Sequence, residues 1–179
     1  MLNSPRRVSL FCWTVAMFMG CLLTASSGNA QQRRPDTTLA NVGDIPFDKT
    51  LDDSTFHVCE PGKTFQYYNE KGYYLRHKPL ITKFILDKYK FNPGFENQNG
   101  YITIRFVINC EGHTGRFRIK CIDEQMHPAT FPDSITHQLL EALKQYKDWQ
   151  PMEYEHQTHD SYQYITFHIR KGKIITISP

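Results

Sequence analysis

Between Tyr101 and Cys110 the apolar side chains fall on the even positions, Ile102, Ile104, Phe106, Ile108 and Cys110, and Tyr101, Thr103, Arg105 and Asn109 alternate with them. That period of two predicts a strand with one buried face. Beyond Glu111 and Gly112 the alternation resumes, with Phe117, Ile119 and Cys121 on one face and Arg116, Arg118 and Lys120 on the other. A two-residue loop at Glu111-Gly112 sets Ile108 opposite Gly115, Phe106 opposite Phe117, Ile104 opposite Ile119 and Ile102 opposite Cys121. Every apolar residue then meets an apolar or small one, so turn and pattern agree on one register.

The period changes after His127-Pro128. Phe131-Pro132-Asp133-Ser134 offers helix-capping residues, and Ile135, Leu139, Ala142, Leu143 and Tyr146 recur at helical spacing. An earlier helix is expected to begin near Pro79, in its first turn, and to place Leu80, Ile81, Phe84, Ile85 and Tyr89 on one face. It should stop before Asn92-Pro93-Gly94, because proline disfavours helix in the residue before it. Ile165, Phe167 and Ile169 alternate with Thr166, His168 and Arg170, and Lys171-Gly172 turns the chain into a final apolar run through Ile177. The order α, β, β, α, β, β predicts a two-layer α+β domain with both helices on one face of a small antiparallel sheet.

The front of the chain reads differently. Residues 1–30 hold Arg6 and Arg7, an apolar segment over 10–25 and no acidic residue, and Gly28-Asn29-Ala30 is an acceptable small-x-small cleavage site. This is the pattern of an export signal. An uncleaved anchor is the weaker reading, since a span usually needs about 20 apolar residues. Phe18-Met19-Gly20-Cys21 outlines a lipoprotein signal, although bulky Phe18 and Met19 fit it poorly. Residues 31–64 are polar and turn-rich, without sustained periodicity, and predict a flexible linker or arm. Phe65, Tyr67, Tyr68, Tyr73, Tyr74 and Leu75 flank Asn69-Glu70-Lys71-Gly72, which suggests an extra aromatic hairpin at the start of a domain spanning 65–179.

The formal net charge is +3, and removing Arg6 and Arg7 with the signal leaves +1. A nearly neutral mature chain gives no electrostatic case for nucleic acid, and membrane contact is expected only if the signal stays uncleaved or is lipidated. Arg105, Arg116, Arg118 and Lys120 are expected to form a solvated face of the sheet. Cys59, Cys110 and Cys121 remain after cleavage. In the expected register Cys110 and Cys121 lie roughly 25 to 30 Å apart at about 3.3 Å per residue, too far to bridge each other. Cys59 could reach either one, in an oxidising compartment.

His156-Gln157-Thr158-His159-Asp160 is the densest histidine cluster. A metal site needs three or four ligands in fixed geometry, and no partner motif stands elsewhere, so no metal or other cofactor is expected. There is no Gly-x-Ser-x-Gly elbow, His-Glu-x-x-His helix, phosphate-binding glycine loop or Cys-x-x-Cys. The chain is therefore read as noncatalytic, with a small exported hydrolase or metal-dependent enzyme built on the 156–160 loop as the alternative.

Over residues 79–177 the chain resembles the carboxy-terminal domain of TonB energy transducers, in the divergent form common in Bacteroidetes. The likeness is carried by Phe91-Asn92-Pro93, the strand from Gly100 to Ile108, the Glu111-Gly112 turn, the helix ending in Trp149-Gln150-Pro151, and the strand around Tyr162 to Ile169. The resemblance implies a periplasmic domain that binds the short TonB box of an outer-membrane receptor as an added strand, beside the strand that follows Trp-x-Pro. Here that strand is Ser161 to Arg170, which makes Tyr162, Gln163, Tyr164, Thr166 and His168 the peptide-contacting residues and leaves Gly112, Trp149 and Pro151 structural. A homodimer stays open. The family's transducers also carry an uncleaved membrane helix with a histidine and a long proline-rich spacer. Residues 10–25 contain no histidine, and residues 31–64 would reach about 110 Å fully stretched and roughly 30 Å as a coil. The expectation is a receptor-binding head without the engine, with a full membrane-anchored transducer as the alternative.

Overall fold

The computed structural model describes residues 43–66 and 73–178. The expected signal over 1–30, the first part of the expected linker and the turn over 69–72 lie outside the described residues. No helix among those described is long and apolar enough to cross a membrane.

Alternation makes the hairpin. Strands β2 (Gly100–Ile108) and β3 (Thr114–Ile122) pair antiparallel, with Ile102 opposite Cys121 and Ile104 opposite Ile119, as the pattern requires. Nearer the turn the register departs from expectation. Gly115 faces Val107 and Thr114 faces Ile108, because β3 bulges between Arg118 and Gly115, where Arg116 adopts φ 55°. One extra residue on a bulged strand shifts the pairs beyond it. The loop also has three residues, Cys110, Glu111 and Gly112, closed by the Asn109 amide on the His113 carbonyl and the Gly112 amide on the Asn109 carbonyl. The Asn109 carboxamide oxygen accepts from the amides of Glu111 and His113, so Asn109 organises the turn.

Helix α1 (Tyr73–Lys88) begins earlier than expected and keeps Pro79 inside it. Proline removes one ladder donor, but Ile81 and Ile85 behind it are wholly buried and hold the helix on the sheet. Leu80 points outward instead of joining that face. Tyr73, Tyr74 and Leu75 are thus helical, and the second arm of the expected aromatic hairpin does not form a strand. Its first arm is β1 (Phe65–Gln66). Helix α2 (Asp133–Gln145) buries Ile135, Leu139, Ala142 and Leu143. Its N-cap position is Pro132, with no side-chain cap, and Asp133 supplies the favourable negative charge in the first turn.

After α2 come a short hairpin that the sequence did not announce, β4 (Met152–Tyr154) with β5 (Gln157–His159), then β6 (Ser161–Arg170) and β7 (Lys173–Ser178). The main sheet places β6 beside β2, and β2 beside β3; β1 and β7 lie on the other flank of β6. All pairings are antiparallel except β1 with β6. Ile102, Ile104, Phe106, Ile108, Ile165, Phe167 and Ile169 form one apolar cluster with the inner faces of α1 and α2. The fold is α+β, with two helices and a mostly antiparallel sheet.

Residues 43–64 are not a loose linker. They belong to the same compact unit as the rest, which runs from Asn41 to Pro179. Ile45 is 3% exposed and packs with Val107 and Tyr162 on the sheet face opposite the helices, and Phe56 and Val58 join them. The arginines expected to be solvated hold this arm. Arg105 donates to the Gly43 carbonyl and Arg116 to the Ile45 carbonyl, while Arg118 donates to the Pro46 carbonyl and forks on to the Asp52 carboxylate at 2.7 and 2.8 Å.

Candidate functional site

The joint between α2 and the strands after it rests on three residues singled out by the sequence. Trp149 is 3% exposed, donates its indole N–H to the Leu143 carbonyl at 3.2 Å, and meets Phe106 and Tyr146 edge to face. Gly112 has φ 82°, and a Cβ there would lie 2.9 Å from the Trp149 carbonyl oxygen and 3.7 Å from the Pro151 ring. The hairpin turn is therefore seated on the Trp149–Pro151 segment, at a distance only glycine allows.

The residues expected to contact a peptide all lie on β6, but that strand is interior. β2 runs along one flank from Ser161 to Ile169; on the other, β1 pairs at Ser161 and Tyr162 and β7 pairs from Thr166 to Arg170. This corrects the expectation of a bare sheet edge there. Side chains correct it too. Tyr162 is buried under the arm, with its hydroxyl on Asp44 at 2.7 Å and the Arg105 guanidinium over its ring. Burial raises its phenol pKa. Gln163 is buried on the opposite face. Thr166 exchanges a hydroxyl hydrogen bond with Thr103 at 3.0 Å, and His168 stacks on Tyr101 with centroids 4.6 Å apart. Tyr164 lies half-buried on the same outer face as Thr166 and His168.

Cys59 and Cys110 form a disulfide with Cα atoms 6.0 Å apart, which resolves the choice that the sequence left open. Cys121 is a free thiol whose pKa burial pushes up. The 156–160 loop does not converge into a site. His156 sits exposed in the β4–β5 turn, and His159 packs its ring on Phe65 and Tyr154. Asp160 turns inward, where its carboxylate accepts from the amides of Glu60 and Cys110 at 2.9 and 3.0 Å. Among the described residues, Cys59, Cys110 and Asp160 bring three ligand-type atoms within 4.8 Å, but the two sulfurs are already bonded to each other.

Among the described residues, β3 pairs with no strand on its outer flank, where residues 127–129 meet only its far end. Between that strand, α2 and residues 51–53 of the arm runs a groove of about 700 Å³. Phe117, Ile119, Leu140 and Trp149 line its apolar side, and Lys144 on α2 and Lys147, just past its end, stand at its rim. No motif in the sequence marks this place. Its signal was indirect: after β3 the sequence shows no strand pattern until residue 161, so nothing was available nearby to pair along its outer flank.

No family model, curated protein or solved structure matches this chain.

Proposed function

We propose that the protein is a noncatalytic, periplasmic peptide-binding head similar to the TonB carboxy-terminal domain, which takes the amino-terminal box of an outer-membrane receptor as an added strand beside β6. The observation that carries this reading is the placement of β7. A six-residue strand, mostly exposed and anchored inward chiefly by Ile177, occupies the flank that the resemblance assigns to the receptor peptide. A strand seated there is the geometry of β-augmentation already satisfied from within the chain, and an incoming peptide would exchange with it. The order of hairpin, helix, Trp-x-Pro and long strand supports the same reading, and the Cys59–Cys110 disulfide supports an oxidising compartment.

The test is Ile177→Ala, which loosens β7 without touching β6. Receptor amino-terminal peptides encoded in the same genome should bind this variant several-fold more tightly than wild type, because less has to be displaced. Unchanged or weaker binding by a folded variant would show that β7 is a fixed part of the sheet. If none of those peptides binds the wild-type protein at concentrations up to about millimolar, near −4 kcal/mol, receptor coupling is abandoned.

A further inference from the structure

We infer that the groove along β3 is a second strand-addition site, for an extended peptide that alternates apolar and acidic side chains. It is independent of β6 and of any receptor box. The backbone argument starts at the far end of β3. There the Cys121 carbonyl accepts from the Ala129 amide, outside the β2–β3 ladder. Opposed residues in an antiparallel pair alternate between exchanging hydrogen bonds and turning their backbone groups away. Cys121 turns away from β2, so Ile119, two residues earlier and on the same side of the bulge, turns away as well. Its N–H and C=O point into the groove, and no described residue takes them. At Phe117 the outward carbonyl is held by the guanidinium of Arg118, which leaves Ile119 as the docking point.

The side chains specify the occupant. Ile119 is 40% exposed, and with Phe117 and Leu140 it gives an apolar wall for every second residue of an added strand. The groove is lined by four cations, Arg116, Arg118, Lys144 and Lys147, against two acids, Asp52 and Asp53. Asp52 pairs with Arg118, Lys144 pairs with Glu141 at 3.1 Å, and Asp53 accepts from Thr55, so the positive excess of the groove is small and centres on Arg116 and Lys147. Charge also separates the candidates. A second copy paired antiparallel about Ile119 would set Arg118 against Lys120 of the other copy, and like charges directly opposite are unfavourable. Residues 31–42 of this chain carry Arg33 and Arg34 against Asp36, which is the wrong sign. A peptide carrying carboxylates fits where these two do not.

The experiment uses the whole protein and three dye-labelled ten-residue peptides in which valine alternates with glutamate, serine or lysine, read by fluorescence anisotropy. The glutamate peptide should bind about tenfold or more tightly than the serine one, weaken with added salt, and leave the lysine peptide unbound. Ile119→Pro removes the outward donor at an edge position where proline is tolerated, and should cost about tenfold in affinity with circular dichroism unchanged. Lys147→Glu, at an exposed position past the end of α2, should cost several-fold; should the proline variant misfold, this variant and the shift of the wild-type Ile119 amide on titration decide. Equal binding of the three peptides, or wild-type affinity in either folded variant, overturns the proposal. So does a concentration-dependent dimer that the glutamate peptide fails to dissociate.

Discussion

Trp149 closes the core between α2 and the hairpin, and its truncation leaves a void that the rigid sheet on one side cannot fill. Trp149→Ala should cost about 3 to 5 kcal/mol in urea unfolding, the range for a large aromatic lost from a core. Gly112→Ala acts from the other side of the same contact. Its φ of 82° and the 2.9 Å approach of a Cβ to the Trp149 carbonyl predict a loss of about 1 to 3 kcal/mol, and chemical denaturation of the folded variant checks it. Both residues stood out in the sequence as punctuation, but that one is seated on the other follows from the turn geometry alone. Asp52 gives a pH signature. Its hydrogen bonds to Arg118 are the largest influence on its carboxyl and hold the pKa below the ordinary range. A folded pKa below the unfolded one contributes stability that is whole above the unfolded value, about 3.9, and is lost as pH falls through the folded value. Thermal melts of wild type and Asp52→Asn should therefore differ by a constant margin near neutrality and converge in acid.

Among elements, the alternating strands and α2 were legible because each has one buried face and a regular period. Ile102 and Ile104 pair with Cys121 and Ile119 as the pattern required, while the bulge at Arg116 was hidden. A non-glycine residue at φ 55° leaves no mark in composition. The start of α1 was misplaced because Pro79 reads as a first-turn residue, whereas burial of Ile81 and Ile85 outweighs one missing amide bond. The arm over 43–64 was illegible for another reason. Its own sequence shows no period because its backbone carbonyls are held by Arg105, Arg116 and Arg118, and the signal sits on the sheet, where it looked like a solvated row. The disulfide joins arm to hairpin across a sequence separation of 51 residues. In the chain-entropy account a loop of this size contributes about 4 kcal/mol, and a matching loss on changing both Cys59 and Cys110 to alanine should appear in denaturant melts.

At the scale of the molecule the sheet is covered on both faces, by helices on one and by the arm on part of the other. A protein trimmed to begin at Phe65, the boundary expected from the sequence, would bare Val107 and Tyr162 and leave three guanidiniums without their carbonyls. Its melting temperature should fall by more than about 10 °C relative to the chain from Asn41 carrying alanine at Cys59 and Cys110, a comparison that removes the disulfide from both. One flank of β6 is paired with β7 and the outer flank of β3 is unpaired among the described residues, which gives the proposed sites different requirements: exchange at the first, simple addition at the second. The bond between Cys59 and Cys110 also decides how tension would travel through the protein. A pull on the arm passes from Cys59 straight to the tip of the hairpin, so residues 60–109, with all of α1 and β2, lie off the loaded path. Stretched between residue 43 and residue 178, the oxidised chain can never reach the contour of the reduced one. Reduction releases about 170 Å of hidden length, and the covalent link acts as a stop that keeps Ile81, Ile85, Phe95 and the β2 share of the core from being drawn out.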